Sequence, residues 1–331
     1  MGTVEWVKTQ ARLAWEFARP LEKGGQQLPL PPSIPGGNVV NVPDRGEMFV
    51  REAGTGDPPI ILLHGWALTA DLSWFSGVYE VAAGRGRMLA PDLRGHGRGL
   101  RSQDPFTLEA AADDTAALCD ELGLGPAVLV GYSMGGSIAL QTWRRHPHSV
   151  AGLVLVSTAL EYRADLWERV TWLGMAGVEY VLRFGAPQGL VDRYLRKAAE
   201  RSPDLERCAG WLKAEVRRGD PSDIASAGRS TSAFDARDFA GAISVPTAVV
   251  VSRRDRLVKE VRQRELADAI AGSHVVELDA AHNAWMAQPR EYAEAIDEAL
   301  GLVIKDVEER AGGRRPARPG PAEGDEQITH L

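Results

Sequence analysis

Short apolar runs punctuate the chain at residues 60–63, 88–90, 127–130, 153–156, 248–251 and 274–278. A strand with one wet face alternates polar and apolar residues, whereas a strand covered on both faces does not. These runs therefore predict strands buried between two layers. Helix-length segments at 73–83, 108–122, 134–146 and 259–270 separate them. Strand and helix taking turns in this way predicts a mostly parallel, doubly wound α/β sheet. Ahead of it, alternation at 38–42 and 47–52 flanks the turn sequence Pro43-Asp44-Arg45-Gly46, so an antiparallel hairpin opens the fold.

The rhythm stops between Thr158 and Phe239. About eighty residues without it are too many for a structureless loop. Trp167, Trp172, Tyr180, Phe184 and Trp211 make the stretch apolar, and an inserted helical subdomain accounts for it. A closing helix is expected from Gln288 through Val307. The organisation read from this pattern is an N-terminal helix and linker over 1–37, a core over 38–158 and 240–311, a cap insertion over 159–239 and a disordered tail over 312–331.

At 331 residues and 44% hydrophobic content, the chain can bury one large core and a subdomain without staples. A net charge of −7, with no cluster of Lys and Arg, excludes a nucleic-acid surface. Cys119 and Cys208 read as small buried apolar residues rather than a disulfide or metal site. Glu5, Lys8, Arg12 and Glu16 interrupt what would be a signal peptide's apolar core, and Trp6 stands where a myristoylation signal needs Ser or Thr. No run is long and apolar enough to span a membrane, so a cytoplasmic protein is expected. Residues 4–19 are amphipathic, but Lys8, Arg12 and Arg19 are too few basic residues to favour membrane-surface contact over packing.

The candidate chemistry sits at one corner. Gly131-Tyr132-Ser133-Met134-Gly135 follows an apolar strand and precedes a helix. Glycines flank the serine because the turn is too tight for side chains, and the corner pushes the hydroxyl out over the sheet's end. A serine hydroxyl needs a base, and the base needs a partner that fixes its tautomer. His282 lies in a short loop after the strand at 274–278, and Asp255 closes the preceding strand. Asp279 and Glu161 are the alternative acids, while His146, His148, His274 and His330 lie in surface or strand contexts. The oxyanion formed by attack needs preset N–H donors. Met134 at the helix start supplies one backbone amide, and Trp66 in Leu62-Leu63-His64-Gly65-Trp66 supplies the second. Gly65 lets that loop turn and His64 anchors it.

Together His64-Gly65-Trp66, the run Asp92-Leu93-Arg94-Gly95-His96-Gly97, the elbow at 131–135, Asp255 and His282 resemble the α/β-hydrolase superfamily over residues 38–307, in a serine esterase or lipase-like form with a helical cap. The resemblance implies an eight-stranded, mostly parallel sheet, a cap after the sixth strand and no cofactor. It also implies that Asp92, Arg94 and His96 brace the loops around the site. A metal role for His64 and His96 is disfavoured, since no carboxylate or thiol set accompanies them. Serine rather than aspartate at the corner disfavours epoxide hydrolase and dehalogenase chemistry. The expected reaction is hydrolysis of carboxylic esters of small to medium, largely apolar substrates, with a small acyl molecule as the partner. The same residues suit an amidase or iminopeptidase, a thioesterase, a carbon–carbon hydrolase, a perhydrolase or a triad-retaining receptor. Glu161, Asp165 and Glu168 are candidate contacts for a free amino terminus, and Arg193, Arg196 and Lys197 for an anionic group. Oligomeric state is not fixed by the pattern.

Overall fold

A computed structural model describes residues 34–163, 168, 211, 214, 215 and 218–312. The N-terminal amphipathic segment, the C-terminal tail, most of the insertion, Asp165, Arg193, Arg196, Lys197 and Cys208 lie outside the described residues. One eight-stranded sheet runs in the order β1-β2-β4-β3-β5-β6-β7-β8. Its strands are β1 Gly37–Val42, β2 Gly46–Ala53, β3 Ile60–Leu63, β4 Met88–Pro91, β5 Ala127–Tyr132, β6 Val150–Val156, β7 Thr247–Ser252 and β8 His274–Leu278. The β1–β2 and β2–β4 pairs are antiparallel and all the others parallel. The opening hairpin thus enters a parallel sheet, as the alternation predicts.

Helices cover both faces. They are α1 Ala70–Trp74, α2 Val78–Ala83, α3 Leu108–Glu121, α4 Met134–Arg145, α5 Pro221–Ser232, α6 Glu260–Ala269, α7 Ala284–Ala287 and α8 Pro289–Gly312. Successive strand residues serve opposite layers, which is why the runs in β3 to β7 lack polar positions. By contrast β8, expected to be buried on both faces, lies at the sheet edge and buries only Val276 and Leu278, while Val275 and Glu277 are exposed. Ile61, Leu63, Leu129, Leu155 and Val249 join the layer holding Leu118 of α3, Ile138 of α4 and Leu266 of α6. Ile60, Leu62, Val128, Val130 and Val250 join Val78 of α2 and Ile296 and Val303 of α8. Cys119 is buried as a free thiol in the first layer. Among the described residues no helix is long and apolar enough to cross a membrane.

The single helix expected over 73–83 is instead two. Thr69 caps α1 by accepting from Leu72 N at 3.1 Å, and Asp92 Oδ1 accepts from Ala70 N at 2.8 Å, so the first helix starts earlier. Gly77, at φ 96°, then turns the chain before α2. Apolar periodicity continued across this break and concealed it.

Buried ion pairs hold the loops at the carboxyl ends of the strands. Arg94 forms a bidentate pair with Asp114 of α3 at 2.6 and 2.9 Å, and Arg45 reaches the same carboxylate at 3.2 Å. Asp92 Oδ2 accepts from both Arg98 N and Arg98 Nε at 2.8 Å. Asp71 accepts from Arg51, Tyr79 and Arg98 at 2.8 to 3.0 Å. Removing one partner of such a pair leaves a buried charge without its main counterion, costing about 3 kcal/mol or more. Arg94→Met is therefore expected to lower the unfolding free energy by about 3 kcal/mol, read from urea denaturation. An unchanged urea midpoint would contradict the bracing role.

Candidate active site

Ser133 is the first residue after β5 and the N-cap of α4, with φ 52° and ψ −114°. A non-glycine residue at positive φ persists only where its surroundings over-determine it. Here the surroundings are backbone. A Cβ on Gly131 would overlap the Gly135 carbonyl, and one on Gly135 would overlap the carbonyl of Leu63 in β3. Ser133 N donates to Val156 O at 2.8 Å, fastening the corner to β6. Tyr162, buried after β6, donates to Ser133 O at 3.4 Å and lies 3.0 and 2.9 Å from the hydroxyls of Ser137 and Thr158. Burial raises its proton affinity and keeps the phenol a donor.

The sheet brings the three distant residues together. His282 Nε2 lies 3.1 Å from Ser133 Oγ, and His282 Nδ1 lies 2.6 Å from Asp255 Oδ2. Asp255 Oδ1 accepts from Leu257 N at 2.8 Å and Val258 N at 2.9 Å, and Oδ2 also accepts from Gln263 Nε2 at 3.3 Å. The carboxylate is thereby fixed in orientation from both sides. Gln263 of α6 is fully buried; its Oε1 accepts from Ser252 N at 2.8 Å and its Nε2 donates to Val258 O at 2.7 Å. Arg254 joins the neighbouring loops through Asp279 O and Gln288 Oε1. Tyr132 donates to His282 O at 2.5 Å, with the two rings 5.3 Å apart.

Neither alternative acid is placed at the histidine. Asp279 pairs with Arg254 at 3.2 Å, and Glu161 pairs with Arg237 at 3.0 Å. Glu168 is engaged by Lys259 at 3.1 Å and Arg262 at 3.2 Å. His146 pairs with Asp113 at 2.7 Å and His274 with Asp306 at 2.8 Å, rather than with Ser133.

The loop after β3 turns through Gly65–Leu68, closed by Leu68 N donating to Gly65 O at 3.3 Å, with Ala67 at φ 58°. A Cβ on Gly65 would press to 2.7 Å on the Tyr132 ring. Among the described residues, the amides of Trp66 and Met134 have no acceptor. Met134 lies at the amino end of α4, where the helix field favours negative charge. His64 Nε2 accepts from Leu93 N at 2.9 Å, so its other nitrogen is the one that donates, to Gly65 O at 2.8 Å. With both nitrogens used by backbone, His64 is an anchor and has no lone pair left for a metal. His96 Nδ1 donates to Arg94 O at 2.9 Å. No metal-holding group of His, Cys, Asp and Glu occurs among the described residues.

Residues 58–289 match the family model described as alpha/beta hydrolase fold. A pimeloyl-acyl-carrier-protein methyl ester esterase from Chromobacterium violaceum is 30% identical over 258 residues, covering 76% of this chain and 98% of that protein. Among solved structures, a thermophilic esterase from Thermogutta terrifontis superimposes with a TM-score of 0.67 at 28% identity, over 81% of this chain and 99% of its own. The enol-lactonase from Burkholderia xenovorans gives 0.68 at 25% identity, over 80% of this chain and all of its own.

Burial lowers the pKa of His64 to about 4 and that of His96 to about 3, the latter helped by repulsion from His64. Both are neutral in the folded protein and bind protons more tightly once unfolded. Their stabilisation is complete above pH 6.5 and is lost as pH falls toward 4, by about 2 kcal/mol per histidine between pH 6.5 and 5. The urea midpoint should fall between pH 7 and pH 5, and His96→Gln should show roughly half that fall. An equal fall in both proteins would refute the assignment.

Proposed function

The chain belongs to the alpha/beta hydrolase fold family, and on that footing we propose that it is a serine hydrolase cleaving carboxylic esters of small to medium, largely apolar substrates. The observation that carries the reading is the relay from Ser133 Oγ through His282, at 3.1 and 2.6 Å, to Asp255. His282 Nε2 takes the hydroxyl proton as Ser133 Oγ bonds to the acyl carbon. The carbonyl oxygen, now negative, faces the amides of Trp66 and Met134. Collapse expels the alcohol, which His282 protonates, and leaves an acyl-enzyme. Water, deprotonated by the same nitrogen, releases the acid and restores the serine. Asp255 holds the imidazole in the tautomer that accepts at Nε2 and stabilises its cation.

The esterase names of the similar proteins support ester bonds as the target. Largely apolar substrates are favoured because the two charged recognition candidates among the described residues are already engaged, Glu161 by Arg237 and Glu168 by Lys259 and Arg262. The same pairing weighs against recognition of a free amino terminus. In this reading residues 38–158 and 240–311 form the catalytic core, and 159–239 form a cap that covers the acyl group.

The test is a panel of chromogenic esters with fluorophosphonate labelling. Wild type should turn over apolar acyl esters and label at Ser133. Ser133→Ala should abolish both, and Asp255→Asn should lower kcat roughly ten-thousandfold. Stoichiometric binding without turnover would instead make the chain a receptor and overturn the proposal.

A further inference from the structure

Trp66 contributes more than its amide. Its indole Nε1 donates to Ile224 O at 2.6 Å, a carbonyl in the first turns of α5. Four residues further along that helix, Gly228 lies against the same ring, where an added Cβ would come within 3.0 Å of Cε2 and Cζ2 and 3.1 Å of Nε1. Glycine inside a helix costs about 1 kcal/mol relative to alanine. Its presence at a buried position here is explained by the indole, which occupies the space a methyl group would need.

The helix that receives the indole is itself held. Asp220 caps it, accepting from Ser222 N at 2.8 Å and Asp223 N at 3.1 Å. Asp220 N donates to Gly95 O, and Gly97 N donates to Arg218 O, each at 2.9 Å, so the entry to α5 is stitched to the loop after β4. Toward its far end Ser230 Oγ accepts from Leu108 N at 3.1 Å, at the start of α3. The loop carrying Trp66 is strained, with Ala67 at φ 58° next to it. A strained turn keeps one conformation only while its neighbours exclude the others.

We propose that the Trp66 side chain is a positioning group that splints the oxyanion loop to α5, so the helix, and not the turn alone, sets where the Trp66 amide points. This deepens the ester-hydrolase reading and rests on it. A group that acts only on the developing oxyanion affects kcat and leaves substrate binding nearly unchanged.

The experiment compares wild type, Trp66→Phe, Gly228→Ala and the double variant in steady-state ester hydrolysis, with circular dichroism and thermal unfolding as the folding control. Trp66→Phe keeps the amide and a ring but removes the indole N–H. It should lower kcat about tenfold with KM within about twofold, less than the hundredfold or more caused by deleting an oxyanion donor. Gly228→Ala improves helix propensity but pushes on the indole, and should give a smaller kcat-selective loss of about fivefold. The atoms it would strike belong to the fused ring system that phenylalanine lacks, so the double variant should match Trp66→Phe alone. The inference is overturned if folded Gly228→Ala keeps wild-type kcat, if the losses multiply, or if either variant changes only KM. Absence of ester turnover in wild type would remove the parent reading and this inference together. Normal wild-type turnover with unaffected variants removes this inference alone.

Discussion

Backbone packed directly on backbone is the constraint on which this molecule's site depends. At the end of β5 the chain must reverse from strand to helix in one residue, and Ser133 takes up the strain, of order 1–3 kcal/mol, at φ 52°. It is held because Gly131 and Gly135 let the corner close on itself and on the Leu63 carbonyl. That last contact matters twice, since Leu63 ends β3 and the loop that follows carries Trp66. Ser133 and both amides proposed to receive the oxyanion are thus referenced to one pair of neighbouring strands, in register at Leu63 and Gly131.

Around this corner, polar groups are placed to immobilise one another. Asp255 is gripped by two backbone amides, an imidazole and the Gln263 amide, and its side chain is fully buried. A carboxylate so held would need no rearrangement in the proposed reaction, where charge develops on the imidazole. The loop of Asp92 to Gly97 is fixed in the same spirit by Arg98, Asp114 and His64. Such networks add little net stability beyond an apolar core. Their effect is to leave each rim loop one arrangement.

Much of this was legible in the chain. The apolar runs located five strands buried on both faces, because two-sided burial removes polar residues from a strand altogether, whereas the sixth, β8, is an edge strand that leaves Val275 and Glu277 exposed. Glycine spacing located the elbow, and position after successive strands located Asp255 and His282. The break at Gly77 was hidden because apolar periodicity persisted through it. Gln263, Tyr162 and Arg254 were missed for a different reason. A polar residue on an otherwise ordinary helix, a tyrosine after a strand and an arginine in a turn carry no spacing that marks them, and their partners lie on other segments. Gln263 left the faintest trace, as an uncharged polar residue on the buried side of α6. The indole of Trp66 was likewise invisible beside the motif that contains it, because Gly228 is distant along the chain.

Strands β6 and β7 lie side by side and pair directly, from Leu153 with Thr247 to Val156 with Val250. The ninety or so intervening residues are, to the sheet, a single crossover that leaves β6 at the end where Ser133 lies and returns to the opposite end of β7. The strand register that sets the serine, histidine and aspartate does not depend on the length of that crossover, although its ends supply Tyr162 to the Ser133 corner and α5 to the Trp66 indole. Variation is therefore partitioned: the connection between Tyr162 and α5 can change in length while the sheet keeps Ser133, Asp255 and His282 together at one end.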